Sequence, residues 1–307
     1  MKTLKKILKK LREPKTLINY VLTYLSDLWF LKIINLLEQN NLYIKLFRYP
    51  KVLSFNKLYY YLRKNTFDQT LFMGKHILKF PTELWSYQEI IFEKKPDVII
   101  ETGVFLGGST YYFAKLCQLF GNGRIIAVDA ILDHADPDLK NFPNVTLIEG
   151  DTSKAETLEK IMSLILPHES VMVILDSDHS PNHVYQEMKL FSSLVTEGQY
   201  LIVEDGIIEN VYPFLINQGP LQAIRKFLKE NSDFIPDYFR NRFLLTHNPL
   251  GYLLRVGKNH QPEITFKTQE DIFRPFCLWL PNQNFPENIA WRKYLNQNKA
   301  NDIRDGK

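Results

Sequence analysis

From Lys95-Pro96 onward, apolar runs of strand length alternate with amphipathic stretches of helical length. Runs of this kind, bounded by polar residues, read as strands buried on both faces, and their alternation with helices reads as βαβ units around a parallel sheet. The pattern predicts strands over Asp97–Glu101, Arg124–Asp129, Val145–Glu149, Val171–Asp176 and Tyr200–Glu204. Helices are predicted over Gly107–Phe120, Lys154–Leu166, Pro181–Leu194 and Pro220–Glu230. Beyond them, Arg242–His247 and Tyr252–Val256 flank Asn248-Pro249-Leu250-Gly251, a turn that predicts a hairpin and hence an antiparallel pair at the end of the sheet. The expectation is an α/β fold with a doubly wound, mostly parallel, seven-stranded sheet.

Outside that region the regular alternation is lost. Residues 45–93 are dense in aromatics and lack a single period, as a helical lead-in carrying loops would. From Gly257 the chain turns polar with scattered aromatics such as Phe273, Phe276, Trp279 and Trp291. The chain thus reads as three regions: a helical, basic N-terminal extension over 1–69, a main domain over 70–256, and a C-terminal appendage over 257–307.

Composition sets outer limits. A chain of 307 residues holds one sizeable core plus additions. The formal charge of +4 is concentrated in Lys2, Lys5, Lys6, Lys9, Lys10, Arg12 and Lys15. The remainder is close to neutral, so no nucleic-acid footprint is expected on the folded body. Leu4, Ile7, Leu8 and Leu11 share one helical face among those lysines. That is the pattern of a helix resting on an anionic membrane, or of one packed on the body or a second subunit. The apolar stretch Tyr20–Leu37 is broken by Asp27 and Lys32 and reads as neither a signal peptide nor a membrane span. Cys117 and Cys277 stand far apart without metal-ligand spacing, which fits a reducing cytoplasm.

Chemistry gathers where the predicted strands end. Asp176-Ser177-Asp178-His179 and Glu204-Asp205 each follow an apolar run, and the carboxyl ends of parallel strands are where such sheets keep their sites. Carboxylates converging beside an imidazole point to a hard divalent cation next to a base. The first strand runs into Thr102-Gly103-Val104-Phe105-Leu106-Gly107-Gly108-Ser109, a glycine-rich entry to a helix that suits a phosphate or a carboxylate equally. Phe105 breaks the nicotinamide fingerprint, and the lysine of a P-loop is absent. Asp129 ends the second strand where an acid grips ribose hydroxyls, and Asp151 follows the third, suited either to an adenine edge or to capping a helix. His179 and His183 have the spacing of a helical metal pair, but Ser180-Pro181 reads as a cap and first-turn proline, which separates them.

The succession Glu101-Thr102-Gly103, Gly107-Gly108-Ser109, Ala127-Val128-Asp129, Gly150-Asp151, Asp176 to His179, Glu204-Asp205 and Asn248-Pro249-Leu250-Gly251-Tyr252 resembles the cephalosporin hydroxylase-type family of class I S-adenosylmethionine-dependent methyltransferases. Met73-Gly74, Pro81 to Trp85 and Lys95-Pro96-Asp97 extend the likeness upstream. The family includes sugar O-methyltransferases. The resemblance implies that Glu101, Gly103, Gly107 and Ser109 border the methionine portion of S-adenosylmethionine, Asp129 its ribose and Asp151 its adenine. It also implies that Asp176, Glu204 and Asp205 bind Mg2+, with His179 as the base that works beside Asp176. The implied acceptor is a hydroxyl of a small molecule or glycan, and relatives associate as homo-oligomers. Two other readings remain open from the residues: a metal-dependent glycosyltransferase using the D-x-D at Asp176-Ser177-Asp178, and a non-catalytic, membrane-docked scaffold.

Overall fold

The computed structural model describes residues 49–208 and 219–257, with a few isolated helical positions between 25 and 37. The basic segment 1–15, residues 209–218 and the appendage 258–307 lie outside the described residues. The chain divides into two compact units, residues 1–50 and 51–307, and the second carries the whole sheet.

Helix α1 (Tyr49–Tyr61) and two short 3-10 turns lead into a small hairpin of β1 (Leu71–Phe72) and β2 (Lys75–His76). Helix α2 (Pro81–Lys94) comes next, its first turn opened by a proline. The regular alternation then begins: β3 (Val98–Thr102), α3 (Gly108–Phe120), β4 (Arg124–Asp129), β5 (Val145–Glu149), α4 (Ala155–Met162), β6 (Val171–Leu175), α5 (Pro181–Phe191) and β7 (Tyr200–Val203). The described chain ends with α6 (Pro220–Glu230), β8 (Phe234–Pro236) and β9 (Tyr252–Arg255). The sheet has seven strands in the order β5-β4-β3-β6-β7-β9-β8, parallel through β7 and antiparallel at β9 and β8. The order reverses beside β3, the crevice where doubly wound sheets bind ligands.

The core is set by the pleat. Ile99, Ile125, Ala127, Met172, Ile174, Tyr200 and Ile202 are buried in one cluster with Tyr87, Ile90 and Ile91 of α2 and Phe113 and Leu116 of α3. The alternate residues Val98, Ile100, Ile126, Val173, Leu201 and Val203 are equally buried, on the face opposite by the two-residue period. There α5 packs on β6 and against α6. Among the described residues no helix is long and apolar enough to cross a membrane.

One predicted element is not there. Arg242–His247 is not a strand; β9 pairs instead with β7 and with Phe234–Pro236. Four of the backbone groups of this segment are satisfied by side chains, and others by local turns, rather than by a ladder. Asn56 donates to the Leu244 carbonyl and accepts from Thr246 N, Thr82 donates to the Leu245 carbonyl, and Glu83 accepts from His247 N. Buried backbone groups need partners, and α1 and α2 supply them here.

Two glycines mark backbone crossings. A Cβ on Gly103 would lie 1.9 Å from the carbonyl oxygen of Asp176, and one on Gly108 would lie 1.8 Å from that of His76. Gly103 also has φ of +87°, which disfavours any side chain. Gly103→Ala is therefore expected to cost about 3 kcal/mol or more, combining left-handed strain with overpacking. Gly198 has a similar φ of +84° but nothing within 4 Å, so Gly198→Ala is expected to cost only the strain, about 1 kcal/mol. Urea denaturation of the two variants reads the difference, and equal losses would show that the crossing is not tight.

Candidate active site

The topology sets two groups of side chains side by side. Parallel pairing of β3 with β4 and β6 runs in register to Thr102↔Val128 and Thr102↔Leu175. The glycine loop after β3 therefore stands between the acid ending β4 and the acidic segment after β6. All three border a pocket of about 770 Å³, the size of a small-molecule site.

On the loop side, Gly103, Gly107 and Ser109 line the pocket together with Asp129 and Asp151. Asp129 Oδ2 accepts from Val104 N at 2.8 Å and Phe105 N at 2.9 Å, so it shapes the loop. A carboxylate offers about four lone-pair directions, which leaves it capacity for a ligand hydroxyl. Asp151 Oδ1 accepts from Ser153 N and Oγ in the turn ahead of α4, whose N-cap is Lys154, so it stiffens that turn rather than capping the helix, and the residue remains exposed at the pocket edge. Those bonds hold its carboxyl below the usual range.

Glu101 is not at the pocket wall but behind it, wholly buried. Its Oε2 accepts from Thr110 Oγ1 at 2.5 Å, and its Oε1 has no hydrogen-bond partner among the described residues. Burial pushes its pKa up to about 7, against the pull of the Lys79 ammonium.

On the acidic side, Asp176, His179 and Asp205 bring ligand atoms within 4.8 Å of one another, a grouping able to hold a metal ion. Asp205 is clasped by two imidazoles: His179 Nε2 lies 3.0 Å from Oδ2 and His247 Nδ1 lies 3.1 Å from Oδ1. Burial would raise its pKa, but the two histidines hold it well below the carboxylate range. Burial likewise opposes charging His179, yet Asp205 and Asp176 outweigh it and raise its pKa. His179 sits in the loop ahead of α5 and His183 within the helix. His183 turns instead to Thr152 and Ser177 hydroxyls, at 3.2 and 3.1 Å.

Glu204 is placed differently. It is 4% exposed, its Oε2 lies 2.7 Å from Lys79 Nζ, and its Oε1 accepts from the Tyr87 hydroxyl at 2.6 Å. The same ammonium meets Asp176 Oδ2 at 2.8 Å. Asp178, the second acid of the D-x-D, caps the turn before α5 by accepting from Ser180 N.

Lys79, Tyr87 and His247 carry no signal of a site in their spacing. Lys79 is a lone lysine between Leu78 and Phe80, which are both apolar, and its place just before a proline-led helix is the only local signal. His247 reaches Asp205 because the 242–247 segment is bound to α1 and α2. Its ring lies against Phe80, with centroids 3.7 Å apart. His134 packs edge-on to Phe105, which lines the pocket.

A doubly wound sheet with an antiparallel end and ligand-bearing strand ends at its reversal point is a class I methyltransferase fold. A family model described as Rhamnosyl O-methyltransferase/CmcI matches residues 64–256. The chain belongs to this methyltransferase family and is an enzyme by that membership. A rhamnosyl O-methyltransferase of Mycobacterium tuberculosis (strain ATCC 25618 / H37Rv) is 36% identical over 202 residues, which cover 64% of this chain and 82% of the relative. One from Mycobacterium leprae (strain TN) is 34% identical over 202 residues, covering 64% and 87%. An apo structure of CmcI is 25% identical with a TM-score of 0.51, covering 62% of this chain and 78% of that one. No glycosyltransferase is among these relatives, so the D-x-D reading finds no support there.

Glu101 supplies a pH test of the pocket. A carboxyl whose folded pKa is raised holds its proton more tightly when folded, so its contribution to stability declines as pH rises from about 4 toward about 7. The urea midpoint of the metal-free protein is expected to fall across that window, and to fall less in Glu101→Gln. Parallel curves for the two proteins would show that Glu101 does not titrate there.

Proposed function

We propose that this protein transfers the methyl group of S-adenosylmethionine to a hydroxyl of a sugar, on a glycan or glycosylated small molecule, with the help of Mg2+. The observation that carries the reading is that one pocket joins the glycine loop to the Asp176, His179 and Asp205 cluster. Membership of a family described by rhamnosyl O-methylation supports the sugar acceptor.

The residues fit both groups. Gly107 and Ser109 line the pocket at the start of α3, and behind them the buried Oε1 of Glu101 is an orphaned acceptor that an α-amino group reaching past that wall would satisfy. Asp129 and Asp151 stand ready for ribose and adenine. S-adenosylmethionine supplies an electrophilic methyl carbon on a sulfonium. Asp176 and Asp205 would hold Mg2+, which favours one or two carboxylates and leaves positions for hydroxyl oxygens. The ion supplies Lewis acidity that lowers the pKa of a hydroxyl it touches. Glu204 adds its charge from behind them.

His179 is the base in this reading. With Nε2 donating to Asp205, its Nδ1 carries the lone pair that takes the acceptor proton, and Asp205 steadies the imidazolium that forms. Phe67 and Tyr60 line the pocket beside His247 and Phe80 backs that ring, an apolar surround that disfavours water on that side.

Three measurements test this. His179→Ala is expected to lower turnover of a rhamnosyl glycoside by about 100-fold or more while S-adenosylmethionine still binds by calorimetry. Asp129→Ala is expected to weaken that binding. Exhaustive chelation is expected to stop turnover and Mg2+ to restore it; full activity after chelation would remove the metal from the proposal, and absence of S-adenosylmethionine binding would end it.

A further inference from the structure

Lys79 has no part in the proposed methyl transfer, yet it is 2% exposed at the centre of the site. An ammonium is costly to bury, and it persists only where opposite charges surround it. Here Asp176 Oδ2 and Glu204 Oε2 lie 2.8 and 2.7 Å from Nζ. Glu101 stands close enough to act on it as well. Four carboxylates therefore crowd the ends of β3, β6 and β7, and Lys79 is set among them. Without it, Asp176, half-buried, and Glu204, buried, would face each other as like charges, and such pairs repel strongly.

The ammonium is held in place from outside the sheet. It belongs to the short segment before α2, where Lys79 N donates to Ile77 O, and α2 itself sends Tyr87 to the other oxygen of Glu204. Asn248 Nδ2 in turn lies 3.4 Å from the Tyr87 hydroxyl. A divalent ion at Asp176 and Asp205 would draw on charge that Lys79 already holds at Asp176.

We propose that Lys79 is a positioning residue of the metal centre: a resident monovalent cation that keeps Asp176 and Glu204 converged in the metal-free enzyme and competes with the divalent ion for their charge. This rests on the reading of Asp176 and Asp205 as a metal site. The ammonium and the ion are partial substitutes, so removing one makes the other count for more.

The test uses Mn2+ as probe on the full chain, with binding read by electron paramagnetic resonance and stability by thermal unfolding. Lys79→Met is expected to bind Mn2+ about tenfold more tightly than wild type, since a unit charge next to a ligand has gone. Its melting temperature is expected to fall without metal and to recover most of the loss in saturating Mn2+. A purely structural lysine would give the same loss with and without Mn2+ and no gain in affinity, and that result overturns the proposal. Should Lys79→Met fail to fold, Lys79→Met/Glu204→Gln removes both partners and leaves no orphaned charge at Glu204. Compared with Glu204→Gln alone, the double variant is expected to bind Mn2+ about tenfold more tightly; equal or weaker binding overturns the proposal. Wild type that binds no Mn2+ sinks the metal reading and this role together, whereas wild type that binds while Lys79→Met shows no gain sinks only the role of Lys79.

Discussion

The backbone of Gly103 passes so close to Asp176 that a Cβ would lie 1.9 Å from its carbonyl oxygen, and the pocket depends on that approach. Strands β3 and β6 pair in parallel up to Thr102 and Leu175, and Asp176 N continues the contact by donating to Thr102 O. The two chains then part, one into the glycine loop and the other into the acidic segment. Parting any earlier would open a gap between cofactor loop and acids; a side chain at 103 would force them apart. The crossing thus converts a feature of sheet order into the short distance that a transfer reaction requires.

Bringing acids together raises an electrostatic problem that the sheet alone does not solve. Glu101, Asp176, Glu204 and Asp205 end three adjacent strands, and burial opposes ionising each of them. Partners come from elsewhere in the chain: Lys79 and Tyr87 from the segment around α2, and His247 from the stretch before β9, where Asn248 also accepts from Asp205 N. These two segments are themselves joined, because Glu83 accepts from both Thr246 Oγ1 and His247 N. The sheet places the carboxylates, and a second layer of hydrogen bonds fixes which way each one points.

That division explains how far the site could be read from the sequence. The five parallel strands were legible to within a residue or two; the inner ones are continuous apolar runs because they are buried on both faces, as in Val171–Leu175, while edge strand β5 is only half-buried and keeps polar residues such as Thr146. The pocket-lining residues at their ends were legible for the same reason: a strand end is a boundary between apolar and polar. Arg242–His247 deceived because it has strand-like composition but finds its partners in the side chains of Asn56, Thr82 and Glu83. Strand β8 has three residues, too few for a period to show. Lys79 and His247 were hidden for a further reason. Their contacts span 97 residues to Asp176 and 42 (247 − 205) to Asp205, and nothing in the local pattern encodes a partner at such a distance.

The two halves of the pocket also differ in what the rest of the fold demands of them. The glycine loop is bound by sheet register and by Asp129, so a change there disturbs the domain. Tyr60 and Arg63 also line the pocket, from α1 and the turn after it, ahead of the segment that the family model matches. Arg63 pairs with Asp68 and lies over the Tyr60 and Phe67 rings at 5.4 and 5.6 Å. None of these residues takes part in the sheet. A wall tied to the domain through side chains such as Asn56 can change its aromatic and charged groups without altering strand register. The glycine loop and strand-end acids are therefore anchored where the fold is least able to vary, and the wall of Tyr60 and Arg63 is built where it is most able to.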